Sequence, residues 1–213
     1  MIEAFLSDID GTLVQSNWLH AEAWQVALRG MGLEHDRGEI RRQIGKGGDQ
    51  LIPVFVPWWK QPHVTILSRP TANSSSIPTS CPASNPSPAC ADSSSGSTTQ
   101  ASASKENIQA YKTIANMQDL IEEETSADNA KRSKPHPDIF EATHKHPGLN
   151  PHEGLALGDT PYDAEAPGKA GIWTIGVESG GWTRAELLTA GCIDVYKDVG
   201  ELLDHFEQSA FVR

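Results

Sequence analysis

Ile2-Glu3-Ala4-Phe5-Leu6-Ser7 is a short apolar run, and it leads directly into the acidic turn Asp8-Ile9-Asp10-Gly11-Thr12-Leu13. A short apolar run that ends in turn residues is typical of a buried strand. The pattern recurs in Gly154-Leu155-Ala156-Leu157-Gly158-Asp159, and residues 172–177 predict a third strand. Because helical patterns lie between these runs, the sequence predicts an α/β fold with a parallel sheet and helices on both faces.

The segments between the predicted strands carry apolar residues at helical spacing. This spacing predicts helices at 17–29, 39–44, 137–146 and 200–207, and a further helix between Asp159 and Gly171. Residues 51–59 are apolar but are interrupted by Pro53 and Pro57. Pro167 lies within the helix that ends at Gly171, where an interior proline costs about 3 kcal/mol.

Asp8 and Asp10 follow the first predicted strand, and chemistry in parallel sheets sits beyond the carboxyl ends of the strands. Two carboxylates one residue apart can face the same crevice, one free to attack and the other to move a proton. A purely structural acidic turn is the alternative. A calcium-binding EF-hand loop is excluded, because Leu13 and Leu19 stand where its glycine and glutamate belong.

A second acidic pair and a lysine lie at other predicted loops of the sheet. Asp159 and Asp163 follow the strand at 154–158, although Asp159 or Thr160 could simply cap the next helix. Lys134 precedes another predicted helix, where a solvated loop is the alternative. Several carboxylates and one cation at one edge of a sheet suit Mg²⁺ and a phosphate group.

These residues resemble the motifs of the haloacid dehalogenase-like (HAD) hydrolases, which run in the order DxDGT, Ser or Thr, Lys, and GDxxxD. In this chain the motifs are residues 8–12, Ser102, Lys134 and residues 158–163. The resemblance implies a Rossmann-like core with a small helical cap inserted after the first strand. Asp10 favours the phosphatase branches, which include phosphoglycolate phosphatase and β-phosphoglucomutase, because true haloacid dehalogenases lack an acid at that position.

The resemblance also implies a reaction through an aspartyl-phosphate. Asp8 would attack phosphorus, and Asp10 would protonate the leaving alcohol and then deprotonate water. Lys134 would neutralise the nucleophile and the phosphoryl group, and Ser102 would donate to a phosphoryl oxygen.

Mg²⁺ is the cofactor that the resemblance implies. It would bind the Asp8 carboxylate, the main-chain carbonyl of Asp10 and the Asp159 carboxylate, with Asp163 in or just outside the coordination shell. The expected substrate is a small phosphorylated metabolite.

Three residues are predicted to contact the substrate, namely Thr12, His20 and Lys46. Residues 17–24 resemble the first cap helix, and His20 stands where the mutase has a cap histidine, although a histidine on the helix surface is an equal alternative. Lys46 lies in a glycine-rich loop that resembles the cap loop reaching the substrate. No arginine of the kind that the mutase uses on its sugar phosphate is found there, which favours a phosphatase.

The predicted domains are a core of residues 1–14 and 101–213, an incomplete helical cap of residues 15–68, and a low-complexity stretch of residues 69–100 in place of the second half of the cap. That stretch holds ten Ser, four Thr and five Pro, which is too little apolar surface to offset the entropy of ordering it. The strand that should lead to Ser102 reads Ser97-Thr98-Thr99-Gln100, without an apolar side chain. We interpret the stretch either as a disordered linker or as the product of a reading-frame slip between Trp59 and Ser102.

Composition narrows the class of protein further. The 213 residues carry a formal net charge of −11, which argues against nucleic acid or an anionic membrane as partner. No apolar run approaches the ~20 residues that span a bilayer, and no signal-peptide layout is present, so we expect a cytoplasmic protein. Cys81, Cys90 and Cys192 form neither a CxxC pair nor a zinc pattern.

The motifs and the composition together predict a Mg²⁺-dependent phosphatase, with a phosphomutase or a degenerate, non-catalytic relative as alternatives.

Overall fold

The computed structural model describes residues 2, 4–58, 61, 98–103, 123–126, 132–143 and 150–212. Most of the Ser/Thr/Pro-rich stretch, with Cys81 and Cys90, lies outside these residues, and so does most of the segment to which the frame-slip hypothesis applies. Among the described helices, none combines the length and the apolar composition that a membrane crossing requires.

Six strands form one sheet in which every neighbouring pair is parallel. They are β1 (Ala4–Asp8), β2 (Thr98–Ala103), β3 (Glu123–Ser126), β4 (Gly154–Gly158), β5 (Trp173–Val177) and β6 (Asp194–Tyr196). Their order is β3-β2-β1-β4-β5-β6, so the chain reverses its direction of winding between β1 and β4. Ligands of such sheets bind at this reversal, beyond the carboxyl ends of the strands.

The polar segment before Ser102 is a strand inside the sheet. β2 begins at Thr98, within the stretch assigned to low complexity, and pairs with both β1 and β3. Its register places Ser102 opposite Asp8. The backbone hydrogen bonds of a parallel sheet do not depend on side chains, and they bring the second motif beside the first.

Seven α-helices are described. They are α1 (Asn17–Gly30), α2 (Arg37–Arg41), α3 (Gly48–Phe55), α4 (Asp138–Thr143), α5 (Pro161–Lys169), α6 (Arg184–Ala190) and α7 (Val199–Asp204). The helix predicted at 39–44 begins and ends earlier in the structure, as α2. Its start is set by Asp36, whose side chain accepts hydrogen bonds from the amides of Gly38 and Glu39. Pro53 does not break the apolar segment but lies inside α3.

Helices cover both faces of the sheet, as the sequence predicted. On one face Leu6 and Ala156 pack with residues of α4 and α5. On the other face Leu155 and Ile175 pack with Leu202 of α7. Alternate residues of the central strands therefore face two hydrophobic cores, which explains their almost continuous apolar character.

Three of the described helices, α1 to α3, lie between β1 and β2 in the predicted cap and share a hydrophobic core of their own. Residues from all three helices meet in it, among them Trp24, Leu28, Ile40 and Leu51. The cap rests on the core domain near the start of α5. There the Tyr162 hydroxyl donates to the Arg42 carbonyl oxygen at 2.7 Å, and the Arg42 guanidinium lies 4.0 Å from the centre of the Trp182 ring.

Pro167 is accommodated in the last turn of α5. A proline has no N–H, so the Asp163 carbonyl oxygen four residues earlier loses its helical donor. The Thr174 hydroxyl of β5 donates to that oxygen at 3.3 Å. A side chain from the neighbouring strand thus replaces the backbone bond that the proline removes.

Candidate active site

A buried ion-pair network links the ends of three chain segments. Lys134 Nζ donates to Asp8 Oδ1 at 2.6 Å and to Asp163 Oδ1 at 2.7 Å. Asp8 ends β1, Asp163 lies in the first turn of α5, and Lys134 precedes α4. The side chains of Lys134, Asp8 and Asp163 are 10%, 11% and 4% exposed, so these charges interact with little solvent screening.

Asp159 directly follows β4 and is fully buried. Thr12 Oγ1 donates to its Oδ1 at 2.9 Å, and Asn17 Nδ2 donates to its Oδ2 at 2.7 Å. Gly11 and Gly180 pack so closely on this carboxylate that a Cβ at either position would collide with it. The turns after β1 and β5 therefore need glycine to enclose Asp159.

Asp163 is held by the start of its own helix. Its Oδ2 accepts from the Thr160 amide at 3.0 Å and from the Thr160 hydroxyl at 2.6 Å. The expected capping role of Thr160 is thus present, and it orients Asp163 toward Lys134. With both oxygens engaged by protein donors, Asp163 is suited to positioning the lysine.

Burial and mutual repulsion perturb the pKa values of these groups. Burial raises the pKa of Asp8 from 3.8 to about 7, although the charge of Lys134 acts in the opposite direction. Burial, with the charges of Asp163 and Asp8, raises the pKa of Asp159 well above its ordinary value. For Lys134, burial would lower the pKa, but the charges of Asp163 and Asp8 outweigh it and raise that pKa.

The carboxylates offer a fitting set of ligands for a hard cation. Oxygen atoms of Asp8, Asp159 and Asp163 all lie within 4.8 Å of one another. Burial is the main cause of the raised pKa values of Asp8 and Asp159, and the carboxylates also repel one another. A divalent cation would relieve that repulsion, and Mg²⁺ prefers such oxygen ligands. The buried Asn17 Oδ1, beside Asp159, has no hydrogen-bond partner among the described residues. An unpaired acceptor there is consistent with a hydrated ion in the site.

Asp10 lies next to the first turn of α1. Its Oδ1 accepts a short hydrogen bond from the Ser16 hydroxyl and lies 2.9 Å from His20 Nε2. Burial would lower the pKa of His20, but the hydrogen bond and charge of Asp10 outweigh it and raise that pKa. Asp10 therefore contacts a histidine of α1 and raises its pKa.

The structure brings together most of the residues that sequence reasoning selected. Asp8, Asp159, Asp163 and Lys134 form one cluster, and Ser102 lies on the strand next to Asp8. All three predicted substrate contacts have protein partners, and for His20 the partner is Asp10. Thr12 donates to Asp159 as described above. Lys46 Nζ donates to Gln43 Oε1 at 2.6 Å and lies 4.7 Å from the centre of the Tyr162 ring, beside the cap–core contact.

Sequence reasoning missed Ser16 and Asn17, which bind Asp10 and Asp159. Their only sequence signal is position, since both stand where a helix begins directly after the acidic turn. A serine and an asparagine there predict a helix cap, yet the structure shows no hydrogen bond from the Ser16 side chain to the helix amides. The side chains serve the carboxylates instead.

Comparison with known proteins supports the resemblance. A family model described as haloacid dehalogenase-like hydrolase matches residues 98–177. No curated protein sequence matches the chain. The matched residues include Ser102, Lys134, Asp159 and Asp163.

Solved structures share the fold over nearly the whole chain. A hydrolase from Pseudomonas syringae is 22% identical with a TM-score of 0.77, covering 97% of this chain and 99% of its own. A predicted phosphoglycolate phosphatase from Haemophilus somnus is 21% identical with a TM-score of 0.74, and the coverages are 96% and 98%. A β-phosphoglucomutase from Clostridium difficile is 18% identical with a TM-score of 0.72, and the coverages are 98% and 100%.

Proposed function

We propose that this haloacid dehalogenase-like chain is a Mg²⁺-dependent phosphatase that hydrolyses a small phosphorylated metabolite through an aspartyl-phosphate. The observation that carries the proposal is the environment of Asp8. Its carboxylate lies at the carboxyl end of β1, 2.6 Å from Lys134 Nζ and within reach of the same cation as Asp159. A nucleophile in that position lies beside the positive charge of Lys134 and beside the carboxylates that would bind a metal ion. Both positive charges would stabilise the phosphoryl group during transfer.

In the first half of the reaction, an Asp8 carboxylate oxygen attacks phosphorus. The new O–P bond forms as the bond from phosphorus to the substrate oxygen breaks, and Asp10 gives its proton to that leaving oxygen. Lys134 offsets the negative charge of the phosphoryl group. Ser102, opposite Asp8 on β2, is the expected hydrogen-bond donor to a phosphoryl oxygen.

In the second half, the Asp10 carboxylate takes a proton from water. The water oxygen attacks phosphorus, and the bond to Asp8 breaks, which releases inorganic phosphate and restores Asp8 as a carboxylate. Ser16 and His20 hold Asp10 in place, and the raised pKa of His20 favours a protonated ring beside the carboxylate. The two halves leave both aspartates in their starting protonation states.

The side chains of Asp8 and Asp159, with the Asp10 main-chain carbonyl, would hold Mg²⁺, while Asp163 positions Lys134. When bound, Mg²⁺ supplies positive charge that offsets the charge of the phosphoryl oxygens. Residues of this chain carry the nucleophilic and proton-transfer steps.

A phosphomutase is the second candidate, and the contact between His20 and Asp10 favours it. Because this histidine lies on the cap and contacts the proposed acid–base residue, proton transfer by Asp10 would depend on the position of the cap. Such a dependence suits an enzyme that returns phosphate to a sugar. The two candidates differ in whether phosphate is lost to water or transferred back.

The experiment measures phosphate release from a generic aryl phosphate and from a panel of sugar phosphates and phosphoglycolate, with and without Mg²⁺. Release that requires both Mg²⁺ and Asp8, with Asp8→Asn as the inactive control, would support a phosphatase. Isomerised sugar phosphate without net release would instead support the mutase. Folded protein that shows neither reaction would support the degenerate, non-catalytic alternative.

A further inference from the structure

Asn17 joins the cap to the deepest carboxylate of the site. It is the first residue of α1 and is 4% exposed, and its Nδ2 donates to Asp159 Oδ2 at 2.7 Å. The residues are 142 positions apart in sequence. Asn17 belongs to none of the four sequence motifs, so the motifs do not predict this hydrogen bond.

The contact determines which way the amide faces. Asp159 is a hydrogen-bond acceptor when ionised, so the amide bonds to it through Nδ2 and not through Oδ1. Oδ1 is buried and has no hydrogen-bond partner among the described residues. A buried carbonyl oxygen without a donor destabilises the folded state, so this position requires an explanation.

The surroundings of Asp159 indicate what the amide does. Thr12 donates to Oδ1 and Asn17 to Oδ2, so each carboxylate oxygen has one protein donor. An ionised carboxylate has about four lone-pair positions, which leaves further acceptor capacity for a cation. Two donors, one on each oxygen, restrict the orientation of the carboxylate, as outer hydrogen bonds do for metal ligands generally.

We propose that Asn17 is a positioning residue of the metal centre. Its Nδ2 orients Asp159, and its Oδ1 accepts a hydrogen bond from a water molecule bound to the ion. This inference rests on the proposed function, since it requires Mg²⁺ at Asp8 and Asp159. It also makes the start of α1 part of the metal site, so that ion binding and the docking of the first cap helix stabilise each other.

Calorimetric titration of the full chain with Mg²⁺ tests the proposal. Asn17→Leu keeps the branched arrangement of heavy atoms but removes both polar atoms, and we expect Mg²⁺ to bind it about 10–100-fold more weakly than the wild type. Gln25→Leu is the matched control. Gln25 is a buried amide on the same helix whose Nε2 donates to the His35 carbonyl oxygen at 3.1 Å, away from the carboxylates. That variant should lose stability but keep the wild-type Mg²⁺ affinity.

The outcomes separate the inference from the function beneath it. Equal Mg²⁺ affinity of the wild type and Asn17→Leu would overturn the role of Asn17 and leave the phosphatase proposal intact. An equal loss in Gln25→Leu would show a general effect of damaging α1 and would also overturn it. A wild-type chain that binds no Mg²⁺ would overturn the proposed function, and this inference with it.

Hydrogen exchange of the wild-type protein provides a second test that does not depend on the folding of a variant. Hydrogen exchange is compared with and without Mg²⁺ along α1. We expect slower exchange at residues 16–20 than in the metal-free protein, and a smaller change toward Gly30. Unchanged exchange at residues 16–20 under saturating Mg²⁺ would contradict the coupling between the ion and the cap helix.

Discussion

Replacing Lys134 with methionine should destabilise the metal-free protein strongly. The substitution keeps an unbranched chain but leaves Asp8 and Asp163 without their shared cation, which now lies 2.6 and 2.7 Å from them. Breaking a buried ion pair by removing one partner costs about 3–5 kcal/mol. For a chain of this size, that loss lowers Tm by about 6–20 °C, at about 2–4 °C for each kcal/mol.

The loss should depend on pH. Asp8 ionises at 3.8 in its ordinary state and at about 7 in the folded protein, so its ionisation opposes folding as the pH rises through about 7. Without Lys134, which lowers the Asp8 pKa, this cost is greater. The difference between variant and wild type should therefore be smallest in acid and grow as the pH passes 7.

Urea unfolding in the presence of a chelator, followed by circular dichroism at several pH values, measures these differences. Arg29→Met is the matched control, because Arg29 pairs with Glu34 on the surface and such pairs contribute about 0–1 kcal/mol. A Lys134→Met loss as small as that of the control would refute the reasoning. Added Mg²⁺ should restore part of the lost stability, since it supplies positive charge to the same carboxylates.

Three further predictions concern the site, the helix α5 and the cap. Mg²⁺ affinity, measured by calorimetry, should fall as the pH drops below about 7, because protons compete with the ion for Asp8; an affinity independent of pH would contradict this. Thr174→Val should lower the free energy of unfolding in urea by about 1 kcal/mol, because it removes the donor to the Asp163 carbonyl oxygen. The control Thr189→Val, at an exposed position, should leave that free energy nearly unchanged. Arg42→Ala should speed hydrogen exchange in α2, because it removes a cation–π contact of about 0.5–1 kcal/mol with Trp182, and unchanged exchange would count against that contact.

Local patterns in the sequence were sufficient for the strands that lead to Asp8 and Asp159. An apolar run followed by an acidic turn identified β1 and β4, because burial on both faces requires continuous apolar residues and a turn requires polar ones. β2 could not be predicted in this way. Its residues Thr98-Thr99-Gln100 lack that pattern, and its place between β1 and β3 depends on backbone pairing with strands distant in sequence.

The sequence by itself determined the chemistry available to this protein. Asp8, Asp10, Lys134 and Asp159 stand at turns after strands or before helices, and the topology of a parallel sheet gathers such turns at one edge. Only the tertiary structure decided their partners. Thr12 meets Asp159 because β1 and β4 are neighbours in the sheet. Asn17 meets Asp159, and His20 meets Asp10, because α1 packs against the turns of the sheet. Contacts between residues more than 100 positions apart depend on how the helices and the sheet pack together. The periodicity of the sequence does not determine that packing.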